Sequence, residues 1–318
     1  MLTRALLWSC LLLAACGGDS ITLPSTAVGP IGPFPAGVTG RIAFVTTDVV
    51  LVSSTSHVET KVHVIDVARR ADRIIFTIRD VYVEGLAWAP DGEHLVMQTY
   101  RSKPFGPNGE NRSISQLNRL SLAGEDRVIF DGLGPEYHPA YSSTDGRLAY
   151  FAGWSTDATS GIFIDGSPVQ ALRFWNNNSY LAWAPDGSSL LYTEQASGLW
   201  RLNLATGSVA QLVVPENGDV IVYPTVSPDG ARIALMRYAG SRQHQEIWTV
   251  SATGSDAKQM TSGCSDDLPA WVPGGAYVAF ARTCSGAATG IYIVPHAGGT
   301  PIRVVAISNS ISGLVWSR

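Results

Sequence analysis

The heptapeptide LAWAPDG occupies residues 86–92, and the same seven letters recur at residues 181–187. A repeat of this length in a globular chain predicts an internal structural repeat with weaker copies elsewhere. The weaker copies end in similar turns: PAYSSTDG at Gly146, YPTVSPDG at Gly230 and LPAWVPGG at Gly275, and the chain closes with SGLVWSR.

The spacing of the repeats predicts a β-propeller. The positions equivalent to the tryptophan of the motif are 88, 142, 183, 226, 271 and 316, which are 54, 41, 43, 45 and 45 residues apart. A period of about 40–45 residues with four strands per repeat is typical of propeller blades. We name the four strands of each repeat a to d, from the axis outward, and the turn follows strand a.

The two ends of the repeat array complement each other. GRIAFVTT at 40–47 has the pattern of a strand b without a strand a, and ISGLVWSR at 311–318 that of a strand a without a strand b. Pairing them closes the ring and removes its exposed sheet edges. We therefore predict an all-β fold, a six-bladed β-propeller of four-stranded antiparallel blades over residues 40–318, closed by its N- and C-terminal strands.

The PDG turn has a local explanation. Proline presets φ for a type I turn, aspartate accepts hydrogen bonds from the following backbone, and glycine takes the left-handed position. The preceding tryptophan is expected to pack between blades as apolar filling. The four aspartates of these turns are therefore interpreted as turn residues rather than catalytic acids: Asp91, Asp145, Asp186 and Asp229.

The N-terminus has the pattern of a targeting signal. Arg4 precedes an apolar stretch that is too short to span a bilayer, and the stretch ends in LAAC at Leu13–Cys16. This ending resembles a bacterial lipoprotein signal, which implies removal of residues 1–15 and lipid attachment at Cys16. Gly17 after the cysteine favours the outer membrane by the same resemblance. The alternative is an ordinary secretory signal with an unrelated cysteine.

Residues 16–39 are rich in Gly, Pro, Ser and Thr, which predicts a semi-flexible tether between the membrane and the propeller. The predicted location is the cell envelope of a bacterium, on the periplasmic or the surface face. With 15% charged residues and a net charge of −4, the chain has no basic stripe of the kind that binds nucleic acid.

The repeated W(S/A)PDG motif over residues 40–318 resembles the propeller repeats of the TolB family and of prolyl oligopeptidases. The resemblance implies the fold. TolB carries an α/β domain before its propeller, where this sequence predicts a tether only, and the peptidases carry a hydrolase domain whose G-x-S-x-G motif is missing here. Neither TolB's role in envelope integrity nor peptidase activity is therefore carried over.

The predicted ligand site lies opposite the PDG turns. In a four-stranded antiparallel blade the b–c loops and the d-to-a connections share the other face, which we call the variable face, and variable loops on a rigid scaffold favour recognition. The longest b–c loop is 101–115. Polar and aromatic residues of the connections into strands a are expected around the channel mouth: Glu84, Tyr137, His138, Asn178, Tyr180, Tyr223, Asp266 and Asp267. They suit a peptide, a glycan or a small polar ligand; the alternative is a set of solvated channel residues.

Other chemistry is weakly indicated. HVETKVH at 57–63 places His57, Glu59, Lys61 and His63 on one strand face, but the lysine favours a solvated face over a metal site. No catalytic residue, metal or cofactor is assigned. Cys264 and Cys284 flank strands a and b of one repeat on the variable face, which predicts a disulfide in an oxidising compartment; two free thiols are the alternative.

The functional prediction is a lipid-anchored, monomeric propeller that binds an envelope protein or a glycan through its variable face. The alternatives are a polymer-acting hydrolase or lyase with its site at the channel mouth, and a structural subunit of an envelope complex.

Overall fold

The computed structural model describes residues 28–52, 55–105, 110–130, 135–153, 160–172, 179–194, 198–216, 218–238, 244–284 and 289–317. Within these ranges no helix is long and apolar enough to cross a membrane. The strands are β1 (Val28–Ile31), β2 (Arg41–Val52), β3 (Thr55–Asp66), β4 (Ala71–Arg79), β5 (Tyr82–Trp88), β6 (His94–Phe105), β7 (Glu110–Ser121), β8 (Asp126–Phe130), β9 (Glu136–Tyr141), β10 (Leu148–Ala152), β11 (Gly161–Ile164), β12 (Ser167–Ala171), β13 (Leu181–Trp183), β14 (Ser189–Glu194), β15 (Gly198–Asn203), β16 (Val209–Val213), β17 (Val220–Val226), β18 (Arg232–Tyr238), β19 (Glu246–Ser251), β20 (Lys258–Gln259), β21 (Ser265–Trp271), β22 (Tyr277–Thr283), β23 (Gly290–Pro295), β24 (Ile302–Ile307) and β25 (Ser310–Trp316).

These strands form six antiparallel sheets, which confirms the predicted six-bladed propeller. Blade 1 has the order β25-β2-β3-β4, and blades 2 to 5 follow in chain order from β5 to β20. Blade 6 contains β21 to β24. The predicted ring closure is also confirmed, because β2 pairs with β25 from Ile42 opposite Trp316 to Thr47 opposite Ser310. The C-terminal strand therefore lies at the axis and the N-terminal strand of the pair lies next to it.

The PDG turns have the predicted local chemistry. Gly92 and Gly187 have φ of 67° and 71°. Asp91 Oδ1 accepts a hydrogen bond from Glu93 N at 2.9 Å, and Asp186 Oδ1 accepts one from Ser188 N at 3.0 Å. Such hydrogen bonds stabilise the ionised carboxylate, and the pKa of Asp186 is lowered by its bond from Ser188.

One position of the sequence alignment was wrong by one residue. Trp88 pairs with Leu95 and Trp183 with Leu190, but in blade 3 the residue in the same place is Tyr141, opposite Leu148, and not residue 142. The turn that follows has the same length, but its glycine comes one residue later: Gly146 N bonds to Ser142 O, four residues back, whereas Gly92 N bonds to Ala89 O, three residues back. Blade 3 thus keeps an aromatic residue at this place.

The tryptophans do more than fill space between blades. Trp183 Nε1 donates to Ala140 O in the preceding blade at 2.9 Å, and Trp271 Nε1 donates to Thr225 O at 3.2 Å. Apolar side chains of adjacent blades pack together around these bonds; one such cluster joins Met236 of blade 5 to Phe280 of blade 6. The indoles of Trp183 and Trp271 therefore link two neighbouring inner strands by packing and by a hydrogen bond.

Residues 28–39, predicted as part of the tether, contact the propeller. Residues 28–31 form β1, which pairs with β24 as a fifth strand of blade 6. Phe34 then packs edge-on against Trp316 with 6.1 Å between ring centroids, and Trp316 Nε1 donates to Thr39 O at 2.8 Å. Residues 28–39 are thus part of the propeller, because their few apolar side chains cover a sheet edge and the closing tryptophan. Cys16 and residues 17–27 lie outside the described residues.

Two hairpins of the variable face are longer than the others described. The pairing of β2 with β3 continues to Val52 opposite Thr55, and that of β6 with β7 continues to Phe105 opposite Glu110. The segment 101–115, predicted as a loop, is therefore mostly strand. The first hairpin belongs to blade 1 and the second to the adjacent blade 2. The two hairpins therefore extend from neighbouring blades on the variable face.

Candidate functional site

A ring of six equivalent residues, one from each blade, surrounds the propeller axis. In every strand a, the residue three places before the tryptophan position, taken as Tyr141 in blade 3, contributes to this ring. A cavity of about 410 Å³ runs along the axis, and all six residues line it. We call them the axial ring: Gly85, His138, Tyr180, Tyr223, Leu268 and Gly313.

Local backbone conformation sets the positions of three ring residues. His138, Tyr223 and Leu268 have φ of 50°, 53° and 53°, which is the left-handed region that costs an L-residue about 1–2 kcal/mol. Each is followed by a proline, and the pairing of each strand a with its strand b shifts register there. Bulges of this kind redirect a side chain out of the simple alternation of a strand. The recurrent bulge therefore decides which residue of each strand lines the cavity.

The axial ring has aromatic side chains on one side and glycines on the other. His138 and Tyr180 have ring centroids 4.1 Å apart, and Tyr180 and Tyr223 have centroids 3.9 Å apart, so blades 3, 4 and 5 form a continuous stack. Blades 1 and 2 contribute Gly313 and Gly85. A Cβ atom at Gly85 would lie 3.1 Å from Pro139 Cδ, so a side chain there would crowd the neighbouring blade. One end of the cavity, which we call the channel mouth, is thus an aromatic crescent opposite two glycines, and the other end lies at the PDG turns.

Two carboxyl groups stand next to the ring. Glu84 precedes Gly85, and burial raises its pKa. Asp267 precedes Leu268; burial first, and the adjacent Asp266 second, raise its pKa to about 7. Both carboxyl groups interact electrostatically with Tyr180 and Tyr223. The two acids therefore face the same small region as the aromatic crescent.

The tyrosines of the crescent remain neutral near neutral pH. Burial raises the pKa of Tyr223 to about 12 and raises that of Tyr180, which also shares a side-chain hydrogen bond with Tyr223. Neutral phenols supply ring faces and hydrogen-bond donors rather than a base. The arrangement is suited to binding an organic group.

Asp266 differs from the other predicted site residues. It is fully buried, and Arg282 binds its two carboxylate oxygens through Nε at 2.6 Å and NH2 at 2.7 Å. Successive strand residues face opposite ways, so Asp266 points into the blade while Asp267 borders the mouth. Its carboxylate therefore forms a buried ion pair, and its role as a ligand residue stays a prediction. Asp219 and Arg237 form a similar pair in blade 5.

Tyr137 lies beside the crescent, with its ring centroid 6.2 Å from that of His138. Asn178 is outside the described residues. Sequence reasoning missed Gln98, which is completely buried: its Oε1 accepts from His138 N at 2.9 Å, and its Nε2 lies 3.5 Å from Glu84 Oε2. A glutamine within the apolar strand HLVMQTY was the available signal. Gln98 therefore contacts both an acid of the mouth, Glu84, and the backbone of a crescent residue, His138.

The cysteines and the histidine-containing strand were also predicted as sites. Cys264 and Cys284 lie with 1.96 Å between sulfur atoms and 4.9 Å between Cα atoms. In the other segment Lys61 Nζ contacts Asp48 Oδ2 at 2.8 Å and Glu59 Oε2 at 3.0 Å. His63 stacks on Phe44. Within the described ranges no group of three or more potential ligands could hold a metal ion.

Comparison with known proteins gives one family. The sequence profile described as the TolB beta propeller domain matches residues 37–318. The Tol-Pal system protein TolB of Anaeromyxobacter dehalogenans strain 2CP-C is 36% identical over 94 residues, which is 28% of this chain and 20% of that protein. The match thus spans about a fifth of the length of this curated relative.

Two solved structures have a similar fold. TolB from Acinetobacter baumannii aligns with a TM-score of 0.66 at 21% identity, over 89% of this chain and 67% of that one. A putative TolB from Agrobacterium tumefaciens aligns with a TM-score of 0.60 at 18% identity, over 85% of this chain and 92% of that one. At these identities the two structures indicate the shared propeller fold.

Proposed function

Because the chain belongs to the TolB β-propeller domain family, we propose that it is a binding module of the bacterial cell envelope that holds a protein partner at its channel mouth. The observation that carries this proposal is the axial ring: an aromatic crescent and the Glu84 carboxyl group line one cavity, and the Asp267 carboxyl group interacts with the tyrosines of the crescent. Aromatic side chains in a concave site with a few convergent polar groups favour binding. The curated relatives named as Tol-Pal system proteins support an envelope protein as the partner class.

We further propose that the chain is anchored by a lipid on Cys16, connected to β1 by residues 17–27. The LAAC sequence at 13–16 supports this proposal. Growth with radiolabelled palmitate should label the wild-type protein and leave the Cys16→Ala variant unlabelled. Label on both proteins, or on neither, would contradict the anchor.

The same envelope setting supports a Cys264–Cys284 disulfide, for which the two sulfur atoms lie at bonding distance. Alkylation of the unreduced, unfolded protein should leave both cysteines unmodified, and alkylation after reduction should modify both. Two alkylated residues without reduction would contradict the disulfide.

Affinity capture from solubilised envelope tests the binding function. A Tyr180→Ala/Tyr223→Ala variant removes two rings of the crescent, and Glu125→Ala changes one exposed side chain in the β7–β8 turn, outside the cavity lining. We expect the double variant to lose at least about 90% of the partner that the wild type captures, because hot-spot aromatics contribute about 2 kcal/mol or more each. Glu125→Ala should capture the wild-type amount.

Far-ultraviolet circular dichroism should give both variants a folded β-sheet spectrum. If the folded double variant captured its partners as well as Glu125→Ala, binding at the channel mouth would be excluded.

A further inference from the structure

The charges at the channel mouth are unbalanced. Asp266 and Asp219, which point into their blades, each receive an arginine from the neighbouring strand b. Glu84 and Asp267, which border the mouth, form no ion pair with any lysine, arginine or histidine of the described residues. The blades therefore supply counter-charges to acids inside the sheets and supply none to the two acids at the mouth.

The electrostatics of the two acids agree with this geometry. The pKa of Glu84 is raised by burial, and the pKa of Asp267 is raised by burial and by Asp266. No basic group within the described part of the chain offsets either shift. A positive charge brought to the mouth would stabilise the ionised form of both carboxyl groups.

The aromatic crescent adds a second and independent feature that favours a cation. Protonated amines and guanidinium groups are attracted to the faces of aromatic rings, and the attraction increases when water is excluded. Tyr180 and Tyr223 line the cavity and interact with both carboxyl groups. Bare metal ions such as calcium prefer a shell of six or more oxygen ligands, whereas two carboxyl groups beside ring faces suit an organic cation.

From this arrangement we infer that the channel mouth binds a basic side chain, a lysine or an arginine, carried by a segment of the protein partner. This inference rests on the proposed binding function and defines its ligand. Glu84 and Asp267 accept hydrogen bonds from the cation, and Tyr180 and Tyr223 pack against its alkyl chain and head group. Gly85 and Gly313 add no side chain on the opposite side of the axial ring.

Short peptides test the inference on the purified full-length chain. The probes are acetyl-Gly-Lys-Gly-amide and its norleucine analogue, which keeps the carbon chain and lacks the amine. Saturation-transfer NMR at pH 8, where Asp267 is ionised, measures the dissociation constant of each. We expect the lysine peptide to bind at least about tenfold more tightly than the norleucine peptide, since hydrogen bonds to charged groups contribute about 1.5–3 kcal/mol.

Three variants assign the effect to the mouth. Asp267→Asn and Glu84→Gln keep side-chain shape and remove one charge each, and each should weaken the lysine peptide about tenfold. Glu125→Gln removes one charge outside the cavity lining and should leave binding unchanged. Asp267→Asn is expected to fold because it removes a desolvated charge.

Equal binding of the two peptides, no binding of either, or the same weakening by Glu125→Gln would overturn the inference. Failure here is distinct from failure of the binding function. If the Tyr180→Ala/Tyr223→Ala variant lost its envelope partner while the lysine peptide did not bind, only the cationic ligand would be wrong.

Discussion

Asp267 is a proposed binding residue at the channel mouth whose ionised form lowers the stability of the fold. Its neighbour Asp266 is neutralised by Arg282, whereas burial leaves the pKa of Asp267 raised to about 7. The folded state therefore binds a proton at Asp267 more tightly than the unfolded chain, whose aspartates have a pKa of 3.8. The stabilisation from that proton is complete below about pH 4 and is lost as the pH rises from 4 through 7.

Replacement of Asp267 by asparagine should remove this pH dependence. Above pH 8 we expect the free energy of unfolding of Asp267→Asn to exceed that of the wild type by roughly 2–4 kcal/mol, with the two proteins converging toward pH 4. Urea unfolding across this pH range measures the difference. The matched variant Asp266→Asn should instead be destabilised by about 3 kcal/mol at neutral pH, because it leaves the buried Arg282 without its carboxylate. A wild-type stability that does not fall between pH 4 and pH 8 relative to Asp267→Asn would contradict the assignment.

The two adjacent aspartates also show what a sequence can predict about single residues. Their place in the connection into a strand a predicted both at the channel mouth, together with Glu84, Tyr180 and Tyr223. The structure brings Glu84, Tyr180 and Tyr223 to one cavity. Side chains alternate between the two faces of a strand, and the bulge at Leu268 shifts this alternation. Which aspartate faces the channel therefore depends on the position of the bulge. The long-range partner, Arg282, follows only from the pairing of two strands.

Among the elements, strand a is followed by the turn that recurs in the blades, and it contains the bulge that positions the axial-ring residues. The turn after it was predictable, because proline, aspartate and glycine act within a few residues of one another. The bulge inside it was not predicted, although His138, Tyr223 and Leu268 each precede a proline. Propensity rules disfavour the observed left-handed backbone at such residues, so tertiary packing around the axis must impose it.

The tryptophans of strands a give a prediction with an internal control. Trp183 Nε1 donates to Ala140 O at 2.9 Å, whereas the buried Trp88 Nε1 has no hydrogen-bond partner in the described part of the chain. Trp183→Phe should therefore cost about 1 kcal/mol more than Trp88→Phe, the net contribution of one hydrogen bond. Chemical denaturation of both variants measures the difference. Equal losses would mean that the indoles act through packing alone.

For the whole molecule, local composition was misleading at the N-terminal boundary. Residues 28–39 contain enough Gly and Pro to read as a linker, yet β1 covers the outer edge of β24 and Phe34 packs on Trp316. The strand pairing that closes the ring was predictable because one terminal repeat lacked a strand a and the other lacked a strand b. No repeat lacked a fifth strand, so the addition of β1 to blade 6 was not predictable in this way.

Truncation tests the boundary. A chain that begins at residue 28 should keep the melting temperature of the mature protein. A chain that begins at residue 40 should melt at least about 5 °C lower, because it exposes apolar surface under Val28, Ile31, Phe34 and Val38. Equal melting temperatures of the two truncated chains would show that residues 28–39 do not contribute to the propeller's stability.

The direction of β1 determines how the propeller would be moored. Val28 lies opposite Ile307, where β24 ends and the chain crosses to β25, so the polypeptide before Val28 departs from the variable face. With a lipid on Cys16, the eleven residues 17–27 would allow a separation of at most about 40 Å. So short a connection would hold the variable face toward the bilayer. A partner that binds the variable face would then have to enter the narrow gap between propeller and lipid, which selects for proteins that are themselves attached to the same membrane.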